Sequence, residues 1–119
     1  MKTIFSLMLA VATFGLAAPA QATGGLVCRT AGARPIDLRL VISHTAVPAV
    51  VSARLIEYGR DVPVALAQSW LEPDDIRVDL VDRNALRHEL RLRARKNGRA
   101  YDGSVWRGGK RHWVRCREG

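Results

Sequence analysis

The chain has 119 residues, of which 48% are hydrophobic, 25% charged and only 6% aromatic, with two cysteines and a formal charge of +8. That length accommodates one small domain and not two. The charged fraction excludes collagen-like, multi-span membrane and wholly disordered classes.

The first segment reads as targeting and not as fold. Lys2 precedes an apolar run from Ile4 to Ala18, and Pro19-Ala20-Gln21-Ala22 closes it with an A-x-A cleavage pattern. These are the parts of a secretory signal peptide over residues 1–22, and the run is too short for a comfortable membrane span. No cysteine stands at the junction, which argues against a lipid anchor. One domain over residues 23–119 is then expected, in the periplasm or secreted. Both phenylalanines leave with the signal, so its aromatics are Tyr58, Trp70, Tyr101, Trp106 and Trp113.

Cys28 and Cys116 stand near opposite ends of that domain. In an oxidising compartment an even pair reads as one disulfide. Closing so long a loop stabilises by about 4–5 kcal/mol in the chain-entropy model. Neither cysteine has a neighbour at metal-ligand spacing, so no metal is expected.

Beyond Cys28 the sequence alternates. Ile36, Leu38, Leu40 and Ile42 are interleaved with Asp37 and Arg39, and Ile76, Val78 and Leu80 with Asp75, Arg77 and Asp79. A period of two is that of half-buried strands. Val50 to Tyr58 is less clean. Residues 63–71 fit a short helix opening on Pro63 or a strand continuing Val62, Val64 and Leu66, and the strand is preferred. Leu86 to Lys96 is rich in helix formers, yet a helix would scatter its leucines. A strand places Leu86, His88, Leu90, Leu92 and Ala94 on one face, with Arg87, Glu89, Arg91, Arg93 and Arg95 on the other.

Asn97-Gly98 and Gly108-Gly109 are favoured two-residue hairpin loops. Short strands joined by tight turns, without helical crossovers, predict an all-β fold. The expected form is a small antiparallel meander, barrel or sandwich, of about seven or eight strands with the disulfide joining the terminal ones.

Two-residue loops also fix which side chains face each other. Counting back from Asn97-Gly98 sets Lys96 opposite Arg99, Arg93 opposite Asp102, Arg91 opposite Ser104 and Glu89 opposite Trp106. Counting from Gly108-Gly109 sets Trp106 opposite Arg111, Ser104 opposite Trp113 and Asp102 opposite Arg115. An even register through residues 83–87 adds Asp79 beside Arg91 and Asp75 beside Arg95. One face then collects Leu90, Leu92, Ala94, Tyr101, Gly103, Val105, Val114 and Cys116 as core.

The other face carries Arg91, Arg93, Arg111 and Arg115 around Trp106 and Trp113, a flat cationic platform. Such a surface stacks sugar rings or bases while its guanidinium groups pair with phosphate or carboxylate. Charge is distributed accordingly. Residues 23–82 carry six basic and eight acidic side chains, whereas residues 83–119 carry twelve and three. A positive face steers anionic partners.

His88 and His112 fall on the inner side of the same register, near Arg107 and Lys110. They mark either a small anion pocket at a barrel mouth or a polar cluster closing the strand ends. No nucleophile elbow, Cys-His dyad, calcium loop or phosphate-binding loop is present. No catalytic residue and no cofactor are therefore expected, and the chain reads as a binding module.

The stretch Tyr101-Asp102-Gly103-Ser104-Val105-Trp106-Arg107-Gly108-Gly109, continued by Trp113-Val114-Arg115-Cys116, resembles the closing hairpin of small exported bacterial proteins. The overall plan, a signal peptide and a small barrel tied by terminal cysteines, is similar to periplasmic C-type lysozyme inhibitors. That likeness implies an exported β-barrel. The Ser-Gly-x-x-Tyr stretch of those inhibitors is absent here, so no functional residue is carried over.

The expected partner is an anionic envelope component (a glycan, or a lipid head group in peripheral membrane contact) or an acidic protein. Nucleic acid is not expected. The alternatives are inhibition of an envelope hydrolase, and a ligand carrier or enzyme working at the His88/His112 end.

Overall fold

The computed structural model describes residues 23–119; the expected signal peptide, residues 1–22, lies outside the described residues. The described chain is all β, in nine strands: β1 (Thr23–Thr30), β2 (Ile36–Ser43), β3 (Val50–Glu57), β4 (Arg60–Val62), β5 (Ala65–Glu72), β6 (Asp75–Val81), β7 (His88–Asn97), β8 (Ala100–Arg107) and β9 (Lys110–Glu118). They form one antiparallel sheet in the order β4-β3-β2-β1-β9-β8-β7-β6-β5.

The edge strands explain the extra count. β4 pairs with β3 and β5 pairs with β6, although only Pro63 and Val64 separate them. A single segment thus leaves one edge of the sheet and joins the other, bending at a proline that has no N–H to offer a ladder. Because the edges are consecutive, the sheet curls barrel-like, and β3 approaches β5 across the seam without a shared ladder. At the opposite side the two ends of the domain meet. Cys28 and Cys116 face each other on β1 and β9 and are bonded across 88 residues.

The core lies on the concave face of the sheet. Leu38, Leu40, Leu55, Ile76, Leu80, Leu90 and Leu92 are fully buried there. Each such side chain stabilises by roughly 1.5–3 kcal/mol relative to exposure. On β7 burial alternates strictly, Leu90, Leu92 and Ala94 inside and Arg91, Arg93 and Arg95 outside. Gly103 permits the tight curl: a side-chain carbon there would run into the Arg93 carbonyl and sit 2.6 Å from the Ala94 Cα. Glycine is what such close backbone approach requires.

Two registers agree with expectation and one differs. Around Gly108-Gly109, both at positive φ, Arg107 pairs with Lys110, Trp106 with Arg111 and Ser104 with Trp113. Asp79 pairs with Arg91 and Asp75 with Arg95. In the β7–β8 hairpin, however, Asn97 pairs with Ala100, so the loop is Gly98-Arg99 and not Asn97-Gly98. Gly98 takes the positive φ of 67°. Asn97 stays in the strand, its Nδ2 donating to Asp102 Oδ2 at 2.7 Å. Every expected partner therefore slips by two: Arg91 faces Trp106, Arg93 faces Ser104 and Arg95 faces Asp102. Two residues is the side-chain period, so no residue changes face.

His88 is a correction of a different kind. The β6–β7 register shifts between Leu80 and Val81, which sets His88 opposite Val81 instead of in line with Leu90. An inserted residue reverses parity. His88 is exposed, 3.7 Å from Asp79 on the outer side. His112, opposite buried Val105, is half-buried.

Candidate functional site

Three rows of side chains cross β6–β9 on the convex face. They read Asp75–Arg95–Asp102–Arg115, Arg77–Arg93–Ser104–Trp113 and Asp79–Arg91–Trp106–Arg111. All six residues expected at the site lie in these rows, but their surroundings divide them.

Arg111 is the centre. Its guanidinium carbon is 4.6 Å from the Trp113 ring centroid and 5.9 Å from that of Trp106. Its Nε donates to Ser104 Oγ at 2.8 Å, and Ser104 is buried. Each cation–π contact contributes about 0.5–1 kcal/mol at an exposed site. Arg111 is thus held by two rings and one neutral hydroxyl, with no carboxylate among its partners in the described residues. Trp113 remains 67% exposed, while Trp106 is half-buried.

Arg91 and Arg115 are held differently. Arg91 Nε donates to Asp79 at 2.9 Å, and Arg115 grips both oxygens of Asp102 at 2.6 and 2.9 Å. Asp102 also accepts from Asn97, and the Arg115 and Asn97 donors together hold its carboxyl down at about 2. These two arginines are locally neutralised. Arg93 makes no ion pair among the described residues. It stands between Arg77 and Ser104 in its row. Like charges directly opposed across strands destabilise, and Asp75 relieves only Arg77, at 3.3 Å.

The histidine pair does not form. The strand end it was expected to mark is spanned by Arg107, whose Nε and Nη2 donate to both Glu57 oxygens at 3.1 Å. Its Nη1 donates to the Glu89 carbonyl at 3.0 Å and lies 3.6 Å from the Glu89 carboxylate. β8 and β3 are not sheet neighbours, so this bridge crosses the end of the barrel. Among the described residues no three His, Cys, Asp or Glu side chains gather as a metal-binding group.

Two participants escape a reading of the sequence. Ser104 looked like an ordinary outward residue, and its role in seating Arg111 depends on the cross-strand diagonal. Trp70 is also on the outer face, opposite Arg77 and 57% exposed, with Nε1 donating to Glu72 at 2.7 Å. A register shift between Leu66 and Gln68 hides its parity in the sequence; only its separation from Leu71 by one residue signals an outward side chain.

Compared with known proteins, the chain matches no family model, no curated protein and no solved structure.

Proposed function

We propose that this chain is an exported, non-enzymatic binding module that recognises an anionic envelope component through the Trp106–Arg111–Trp113 stack and the neighbouring Arg93. One observation carries the reading: a guanidinium is held between two indoles and on a buried hydroxyl, with no carboxylate among the described residues to neutralise it. Held rigidly, it loses little freedom when it meets an anion, and planar guanidinium suits carboxylate or phosphate. The largely exposed Trp113 adds a flat apolar wall beside the charge. The disulfide supports an oxidising, extracytoplasmic setting.

The test is salt-graded elution from immobilised dextran sulfate, comparing wild type with Trp113→Ala, Arg111→Gln and, as a remote charge control, Arg83→Gln. Trp113→Ala leaves net charge unchanged, yet should elute at clearly lower salt than wild type. Arg111→Gln should lose more than Arg83→Gln. Co-elution of Trp113→Ala with wild type, and of Arg111→Gln with Arg83→Gln, would reduce the binding to bulk charge and overturn the platform. Salt-insensitive capture of one envelope protein would instead favour hydrolase inhibition.

A further inference from the structure

The stack is one station of a longer track. The outer face carries three shallow depressions, and each combines one tryptophan with two or more arginines. The first, about 320 Å³, sets Trp70 beside Arg77 and Arg93. The second, about 560 Å³, sets Trp106 beside Arg91 and Arg93. The third, about 770 Å³, sets Trp113 among Arg29, Arg115 and Arg117.

The first two depressions adjoin, and the third lies beyond Arg111. Arg91 and Arg93 wall both the first and the second. Arg111 touches the tryptophan of the second and that of the third, and so stands between the two. Each also contains one carboxylate, Asp79, Glu89 and Asp102 respectively. All three already face an arginine, Arg91, Arg107 and Arg115. What remains for a ligand is a run of aromatic walls alternating with cations. From β5 to β9 it crosses four inter-strand steps, about 19 Å at the usual strand spacing.

We infer that this track takes a linear acidic polysaccharide, laid across the strands so that sugars spaced along it meet the tryptophan–arginine stations on β5, β8 and β9. The inference rests on the anion-binding reading above and extends it from the Trp106–Arg111–Trp113 stack to the Trp70 depression and to the arginines beyond Trp113. A flat bilayer fits poorly, because the stations sit on different strands of a curled sheet. An isolated head group or short sugar would fill one station only. Glycan is favoured over nucleic acid by the disulfide, which points away from the reducing cytosol.

Linking stations on one chain converts later contacts into intramolecular ones, which raises affinity by roughly 10²–10⁴-fold without any new type of contact. The probe is a series of oligogalacturonates, a disaccharide, a hexasaccharide and a dodecasaccharide, followed by tryptophan fluorescence and calorimetry. Affinity should rise at least about 100-fold from disaccharide to dodecasaccharide. Trp70→Ala should lower dodecasaccharide affinity about tenfold and leave the disaccharide, bound at the Trp106–Trp113 station, unchanged. Arg93→Gln, at a residue that walls both the first and the second depression, should lower affinity for both lengths.

Equal affinity for all three lengths would overturn the track while leaving the single station standing. Retention on dextran sulfate that ignores Trp113→Ala would remove the station itself. Tighter binding to phosphatidylglycerol vesicles or to an oligothymidylate than to the dodecasaccharide would overturn the choice of glycan.

Discussion

Arg107 and Arg111 lie on opposite arms of one tight hairpin and do opposite things. Arg107 points to the barrel end, is only 20% exposed, and meets two carboxylates and a carbonyl. The Glu57 bond raises its already high pKa further, so its charge is permanent and fully answered. Arg111, two residues past the turn on β9, is exposed and meets two rings and a hydroxyl. The first arrangement has a structural rationale: it joins β3 to β7 and β8, which the ladders leave separate. The second secures the side chain's position while leaving its charge unanswered. Position without neutralisation contributes little to folding and is what an anion site requires.

The two arginines should differ in energy as they differ in partners. Arg107→Gln removes the donor that compensates two half-buried carboxylates, so it should destabilise by about 2–4 kcal/mol in urea unfolding. Glu57→Gln combined with it should cost less than the sum of the single changes, because the second removes a carboxylate already unpaired. A loss no larger than about 0.5 kcal/mol would make the Arg107 bridge an ordinary surface pair.

Arg111→Gln should fall within about 1 kcal/mol of wild type by the same measurement, the sum of two exposed ring contacts less the new freedom of the side chain. A larger loss would show that Arg111 covers the indoles for the sake of stability, and the contrast with Arg107 would disappear.

This division is partly legible in the sequence. The glycine pair at 108–109 fixed the β8–β9 register because both residues can take positive φ, and nothing nearby competed for them. The same logic misplaced the β7–β8 loop by one residue because Asn97 found Asp102, a partner in the next strand. Facing survived that error, since the resulting slip of two equals the period of a strand. Facing did not survive the register shifts near Val81 and Leu66, which moved His88 outward and hid Trp70. The extra residue that inverts parity leaves no compositional mark. The Arg107–Glu57 bridge joins residues 50 apart on strands that never pair, and no local pattern announces it.

The smallest effect sharpens the contrast from the side of a third arginine. Arg115 resembles Arg111 in exposure but is neutralised by Asp102, whose carboxyl is held at about 2 by Arg115 and then by Asn97. A carboxyl depressed on folding binds fewer protons folded than unfolded between its two values. Its contribution is therefore complete above about pH 4, and falls away as pH drops toward about 2. Across that window the urea midpoint of wild type should decline more steeply than that of Asp102→Asn. Some slope should persist in the variant, since Asp61 and Asp82 are also lowered, by Arg54 and by backbone donors from Arg87 and Leu86. Near neutral pH the same variant exposes Arg115 without its counter-ion, so it should elute from dextran sulfate at higher salt than wild type. Parallel acid profiles together with unchanged elution would mean that the Asp102 pair neither anchors the fold nor masks charge. Answered and unanswered arginines would then not differ in energy on the outer face.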